Sequence, residues 1–393
     1  MLGSKEINQI KNVLRMSINN NYIAGANLLV IKNGEEIFYH EDGFADIKNE
    51  VRIKRNSIFR LYSMTKPITA AAVMILLERG EIDLYEPVSK FLSGFKNQMV
   101  DTGEGLIPVE REVMIKDLLS MTSGLVYGGE NQSGKNTEEL FKKLDKRLFT
   151  DKPISTKELI NELGKCSLAF QPGSSWNYGT SADVLGAVIE VVTEKKFGEF
   201  LKEQLFNPLE MTDTDFWVPK NKRNRLANAY EQDENNNLKI YTGNNLGIIN
   251  NMDRNPAFQS GGAGLASTID DYAKFANMLM NRGNYNNIQI LKPHTVKYMT
   301  SSTLNSMQQQ SFDNWITLCG HSYGNLMRIM IDTRKAGDLA SNDEYGWDGW
   351  LGPYFCNCPN DKLTLLFMMQ KTDAGTSNIT RKIRNIILSS CCE

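Results

Sequence analysis

Ser63 and Lys66 stand three residues apart in the stretch Phe59-Arg60-Leu61-Tyr62-Ser63-Met64-Thr65-Lys66-Pro67, pairing a hydroxyl nucleophile with an amine base. On a helix, positions three apart share a face, so the Lys66 amine can reach Ser63 Oγ without help from distant sequence. A base within hydrogen-bond reach is what a serine needs to attack a carbonyl and form an acyl-enzyme. A serine at a helix N-terminus also sits at the positive end of the helix dipole, beside free backbone N–H groups that favour an oxyanion. A second Ser-x-x-Lys, Ser93-Gly94-Phe95-Lys96, has the same spacing but opens no amphipathic helix, and it reads as loop decoration.

The element that must hold the pair is a helix. Pro67 is tolerated in a first helical turn, Ile68, Ala71, Ala72, Ile75 and Leu76 recur at helical spacing, and Gly80 closes the run. Two further stretches carry candidate groups. In Gln171-Pro172-Gly173-Ser174-Ser175-Trp176-Asn177-Tyr178-Gly179-Thr180-Ser181, a Pro-Gly turn delivers Tyr178 just before a capped helix. That position suits a phenol sharing a proton with Lys66, and equally a structural tyrosine whose hydroxyl finds a backbone partner. In Tyr345-Gly346-Trp347-Asp348-Gly349-Trp350-Leu351-Gly352-Pro353, glycines enter a strand and mark either close backbone approach to a ligand or a bulge.

The chain has 393 residues and 41% hydrophobic content, enough for two lobes with sizeable cores. Lys plus Arg number 44 against 46 for Asp plus Glu, with no basic block, which argues against nucleic acid as a partner. No apolar run is long enough for a membrane span, and Met1-Leu2-Gly3-Ser4-Lys5-Glu6 lacks a signal-peptide core. The expectation is a cytoplasmic protein, with a removed leader left open. The cysteines, Cys166, Cys319, Cys356, Cys358, Cys391 and Cys392, form no Cys-x-x-Cys and read as reduced thiols. Cys356 and Cys358 would share one face of a strand, with zinc as the alternative reading.

Residues 5–18 place Ile7, Ile10, Val13, Leu14 and Ile18 on one helical face, and Asn33-Gly34 joins two β-rich runs as a hairpin. Residues 81–284 read as mostly helical, including Ala182 to Glu194 and a helix capped by Thr268, with the polar stretch 219–256 as a surface excursion. Strand signals return at Leu326 to Ile331, Tyr345 to Phe355 and Leu363 to Met369, before a last helix bearing Ile379, Ile383, Ile386 and Ile387. The expected fold class is α/β plus all-α: an antiparallel β-sheet flanked by helices, built from both termini, with a large helical insertion. Residues 1–80 and 285–393 form the sheet lobe, residues 81–284 the helical lobe, and the active site lies in the cleft between them.

Taken in order, Ser63-x-x-Lys66, the Leu118-to-Leu125 segment, the Pro-Gly-x-x-Trp-x-Tyr178 run through Gly186, the Ser260-Gly261-Gly262-Ala263-Gly264-Leu265 loop and Trp347-Asp348-Gly349 are similar to the class C β-lactamase and penicillin-binding-protein superfamily of serine hydrolases, including its esterases. The resemblance spans almost the whole chain. It implies Ser63 as acylated nucleophile, Lys66 and Tyr178 as the proton-handling pair with the principal base left open, and the backbone N–H groups of Ser63 and Trp350 as oxyanion hole. It implies no metal and no organic cofactor. Trp347, Asp348, Gly349 and Thr180 fall where relatives bind substrate.

Three departures bear on the substrate. Tyr178-Gly179-Thr180 stands where many members have Tyr-Ser-Asn, Trp347-Asp348-Gly349 where the lactamases have Lys-Thr-Gly, and Met121 where a histidine often precedes Thr-Ser-Gly. The expectation is therefore an esterase or small-amide hydrolase more than an efficient β-lactamase, acting on a small-molecule ester, amide or β-lactam. β-Lactamase or D-alanyl carboxypeptidase activity is the alternative, and a non-catalytic binding protein on the same fold the second. No Gly-x-Ser-x-Gly elbow is present, and His40, His294 and His321 fall where they support no Ser-His-Asp triad. Gly129-Glu130-Asn131-Gln132-Ser133-Gly134-Lys135 imitates a phosphate loop, but Asn136 replaces the required hydroxyl.

Overall fold

Both ends of the chain supply strands to one eight-stranded antiparallel sheet in the computed structural model, which describes residues 2–391. The strands are β1 (Gly25–Lys32), β2 (Glu35–Asp46), β3 (Val51–Arg52), β4 (His321–Gly324), β5 (Met327–Met330), β6 (Tyr345–Asp348), β7 (Tyr354–Cys358) and β8 (Leu363–Met369). Their spatial order is β4-β5-β6-β7-β8-β1-β2-β3, so β1 and β8 meet inside the sheet, with Ala26 opposite Met369 and Lys32 opposite Leu363. The β1–β2 hairpin turns through Asn33 (φ 56°) and Gly34 (φ 81°), the two successive positive φ angles that a two-residue hairpin turn of matching twist requires.

Period-two alternation gives the sheet two apolar faces. Leu28, Val30, Leu365 and Phe367 pack with Ile10 and Leu14 of helix α1 (Ser4–Asn19) and with Ile383 and Ile387 of the C-terminal helix. Leu29, Ile31, Leu366 and Met368 join the larger core on the opposite face. The helix after Ser63, α2 (Thr65–Glu78), is apolar all round, and every residue from Thr65 to Leu76 is buried. It packs on α3 (Ser181–Thr193) and on the helix Pro293–Met299, as expected of a helix with no polar face to give to water.

Three readings of the sequence change. Helix α4 (Ile269–Met280), which falls within the stretch read as the helical insertion, lies against β8, β7 and β1 and so belongs to the sheet's packing. The stretch 219–256 is a surface excursion only over residues 231–246, none of them buried; on either side Tyr230 exchanges backbone hydrogen bonds with Gln370 and Thr372, and Ala229, Ile248, Ile249 and Met252 are buried. The run Tyr345 to Phe355 is two strands, because Gly349 N donates to Pro353 O at 2.8 Å and Gly352 N to Gly349 O at 2.8 Å, closing a turn between β6 and β7. Sequence alternation cannot separate a long strand from a tight hairpin when both arms are buried. No helix among the described residues is long and apolar enough to cross a membrane.

The C-terminal helix α5 (Asn378–Cys391) carries a buried Arg384 that forms ion pairs with Asp338 and with the fully buried Glu344. Removing one member of such a cluster strands a charge in low dielectric. Arg384→Met should therefore cost roughly 3–5 kcal/mol in urea unfolding, with partial recovery in Arg384→Met/Glu344→Gln. A single variant within about 1 kcal/mol of wild type would show that the pairs carry no weight.

Candidate active site

Backbone stitching fixes the nucleophile's segment. The strand pair Phe59–Arg60 with Ala266–Ser267 leads into Leu61, whose N–H donates to Leu265 O at 2.8 Å, and Thr65 Oγ1 accepts from Leu265 N at 3.1 Å. Tyr62 to Met64 form a 3-10 turn running directly into α2. Tyr62 takes φ 44°, a conformation that costs a non-glycine residue on the order of 1 kcal/mol or more. Its ring is clamped by Ala229, Ile248, Ala263 and Leu351 and meets the Trp350 ring edge-on at 5.0 Å.

Lys66 is fully buried, and its Nζ lies 3.1 Å from Ser63 Oγ, 3.0 Å from the Tyr127 hydroxyl and 2.8 Å from Gly262 O. Burial pushes its pKa down to about 7, against the opposing pull of Asp183 and Asp348. A neutral amine fits these partners: two N–H groups donate to Gly262 O and Tyr127 Oη, and the lone pair accepts from the Ser63 hydroxyl. Tyr178 lies on the other side, with its ring centroid 4.6 Å from Lys66 Nζ and its hydroxyl hydrogen-bonded to Ser63. Burial raises the pKa of both phenols, so Tyr127 and Tyr178 are protonated at neutral pH.

Asp183 holds the Lys66 acceptor in place. Its Oδ1 accepts from Ser260 Oγ at 2.5 Å and from Gly262 N at 3.0 Å, which aims the Gly262 carbonyl at Lys66. A Cβ at Gly262 would lie 2.8 Å from the Tyr127 hydroxyl and 2.9 Å from Asp183 Oδ2, so the loop can approach this closely only as glycine.

The structure brings Ser63, Lys66 and Tyr178 together, with Trp347 beside them. Trp347 is only 2% exposed, so it is not a wall of the cleft; its indole N–H donates to the Tyr178 hydroxyl at 3.0 Å. Asp348 does not present its carboxylate to a ligand: it bonds to Thr376 Oγ1 and lies 3.7 Å from Arg328 Nη1. Gly349 serves packing more than ligand approach, since a Cβ there would meet Leu61 O at 2.1 Å. Thr180 is fully buried at the start of α3, out of a substrate's reach. Neither Ser63 N nor Trp350 N donates to a group among the described residues, and the Gly349 contact brings their two segments together. Ser93 and Lys96 are exposed, and Lys96 is in extended backbone, so the second copy of the motif assembles nothing.

Tyr127 and the Asp183–Gly262 support escaped the sequence reading. Tyr127 follows Leu125 in an aperiodic loop, so no spacing ties it to Lys66. Elsewhere, the ligand atoms of Cys356, Cys358 and Glu344 lie within 4.8 Å of one another on the sheet's far face, but the ion pair with Arg384 already engages the carboxylate. Cys166, Cys319, Cys356 and Cys391 form no disulfide among the described residues, and Cys392 lies outside them.

Comparison with known proteins bears on the family and the fold. The Beta-lactamase family model matches residues 11–387. Protein Rv1367c of Mycobacterium tuberculosis is 29% identical over 359 residues, covering 88% of this chain and 86% of its own length. Esterase EstB of Burkholderia gladioli is 29% identical over 262 residues, covering 63% of this chain and 64% of its own. Among solved structures, EstCE1, a hydrolase with promiscuous acyltransferase activity, superposes with a TM-score of 0.82 at 22% identity, covering 98% of each chain, and shares the fold.

Asp183 gives a direct test of the loop support. Asp183→Ala leaves the Ser260 hydroxyl and Gly262 N–H without their acceptor in a buried site, and should lower stability by roughly 1–3 kcal/mol. An unshifted urea midpoint would mean that the loop is held by other contacts.

Proposed function

The chain belongs to the Beta-lactamase family, and on that premise we propose that it is a serine acyl-hydrolase cleaving small neutral carboxylic esters through an acyl-enzyme on Ser63. The observation that carries this reading is the buried Lys66 amine, 3.1 Å from Ser63 Oγ with its pKa pushed down to about 7. A lysine kept neutral near working pH can act as a general base.

Lys66 takes the Ser63 proton as Oγ attacks the ester carbonyl. The resulting oxyanion is held by the N–H groups of Ser63 and Trp350. As the tetrahedral intermediate collapses, the C–O bond to the alcohol breaks and Tyr178 gives its proton to the leaving oxygen. The tyrosinate, beside the Lys66 ammonium, then recovers a proton from it. Water attacks the acyl-enzyme by the same steps in reverse order and releases the acid and free Ser63. The Trp347 N–H fixes the Tyr178 hydroxyl and stabilises its transient anion.

Preference for neutral esters rests on charge. A penicillin or a D-alanyl peptide carries a carboxylate, and each charge-assisted contact to it is worth roughly 1.5–3 kcal/mol. Arg328 is buried, over the Tyr354 ring at 4.7 Å and 3.7 Å from Asp348, and Lys371 Nζ sits over the Tyr22 ring at 4.9 Å from its centroid. Burial keeps Arg328 from a substrate carboxylate, and Lys371 is placed on the Tyr22 ring, so neither replaces the missing lysine of Lys-Thr-Gly. The name of the relative EstB points the same way.

A fluorophosphonate followed by peptide mapping should label Ser63, and Ser63→Ala should lose both label and turnover while Ser93→Ala keeps both. Lys66→Ala and Tyr178→Phe should each slow acylation roughly 10²-fold or more, without adding in the double variant. Label on Ser93 would overturn the assignment.

Below pH 7 Lys66 is protonated and cannot accept the serine proton, so kcat/KM should fall as pH drops through about 7 and level off above it. A flat profile from pH 5 to 9 would remove Lys66 as the base. Neutral aryl esters should be cleaved with kcat/KM roughly 10²-fold or more above that for penicillins. Equal rates on the two classes would discard the ester preference.

A further inference from the structure

We propose that the ester's alcohol portion is an uncharged apolar group, aryl or alicyclic, that binds in a trough beyond Tyr178 whose specificity-determining residues are Trp315 and Ile316. The proposal rests on the hydrolase reading above and adds the substrate class to it.

The trough has a volume of about 490 Å³; Trp176, Tyr178, Trp315 and Ile316 form its apolar wall, and uncharged polar residues, Asn314 and Thr317 among them, complete it. That is room for a bicyclic ring, and no charged side chain lines it. An ionic alcohol finds no opposite charge there, whereas an apolar one gains by leaving water against the rings and Ile316.

Two large apolar side chains stand exposed side by side at this place. Ile316 is 84% exposed and Trp315 39%, on a segment whose other aromatic, Phe312, is fully buried. Apolar side chains set side by side in a concavity next to a reacting group offer an apolar part of the substrate a place to leave water.

The wall is also rigid and continuous with the catalytic phenol. The Trp315 ring meets Tyr178 edge-on at 5.4 Å and Trp347 at 6.3 Å, while Trp176 packs on Phe312 at 4.8 Å and Tyr323 at 5.4 Å. The helix Ser306–Asp313 is capped reciprocally by Asn305 and Gln308, and it is tied to the Tyr178 loop by Gln308 Nε2 to Gly173 O at 2.7 Å and Ser175 Oγ to Ser311 Oγ at 2.8 Å. A preformed aromatic wall costs little ordering on binding.

The chemistry sets which half of the ester lies there. Tyr178 gives its proton to the leaving oxygen, so that oxygen faces the phenol and the group bonded to it continues along the ring into the trough. The carbonyl oxygen points to the Ser63 and Trp350 amides, and the Trp350 ring packs with Tyr62 and Tyr241, a cluster separate from the trough's.

Ethyl acetate, naphthyl acetate and ethyl octanoate separate the halves when assayed on wild type, Trp315→Ala and Ile316→Asp. Ile316→Asp is the variant least able to disturb folding. Calorimetric titration of naphthyl acetate into Ser63→Ala, with and without Ile316→Asp, reads binding apart from turnover. The expected result is that both trough variants lower the naphthyl-to-ethyl acetate ratio of kcat/KM by roughly 10-fold, mainly through KM, and that Ile316→Asp weakens the calorimetric binding. Hydrolysis of all three esters with an unchanged ratio, or a loss confined to the octanoate, would overturn the trough while leaving the hydrolase intact. Binding sensitive to Ile316→Asp without any turnover by wild type would keep the trough and discard the hydrolase. Absence of both binding and turnover would reject the trough as well.

Discussion

Keeping one amine dry is the constraint on which the rest of the structure depends. Lys66 is fully buried on a helix that is itself buried on every side, so its nitrogen cannot be hydrated and its charge is penalised. The hydrogen bonds that remain to it come from Ser63, Tyr127 and Gly262, and each must be held to within a fraction of an ångström. A helix with one wet face would let water reach the amine and restore its ordinary basicity. The unbroken burial of α2 from Thr65 to Leu76 thus matters to the site as much as the lysine does.

Burial acts on the neighbouring acids as well. Asp183 and Asp348 are both pushed above the usual carboxylate range by desolvation, and each is partly rescued by its own partners, Ser260 and Gly262 for the first, Arg328 and Thr376 for the second. The two carboxylates pull the Lys66 pKa up while burial pulls it down, and burial wins. Asp183 acts on the site through the Gly262 carbonyl, so one carboxylate sets both the field at the amine and the position of its acceptor.

The Trp347-Asp348-Gly349 segment changes what the end of strand β6 does. A lysine at the first position would place a mobile charge in the cleft. Trp347 instead turns inward and spends its single N–H on the Tyr178 hydroxyl, and Asp348 closes on Arg328 and Thr376. The strand end becomes scaffold for the phenol. Contact with the ligand passes to the aromatic segment around Trp315, which stacks on that scaffold.

The sequence by itself determined whatever depends on local spacing. Ser63 and Lys66 are brought together by one helical turn, the Asn33-Gly34 hairpin by two positive φ angles, and the two-ended sheet by strand signals at both termini. Each is fixed by backbone geometry over a few residues, or by periodicity. Only the tertiary structure decided that Tyr127, 61 residues from Lys66, bonds to it, that Asp183 holds Gly262, and that Thr180 and Trp347 are buried where an open cleft was expected. It also decided that the polar stretch 219–256 is pinned, through Arg60, whose guanidinium donates to Asn250 O at 2.6 Å and Ala227 O at 2.7 Å. Side-chain direction across a loop is set by what packs on it from elsewhere in the chain, and no pattern within the loop records that partner.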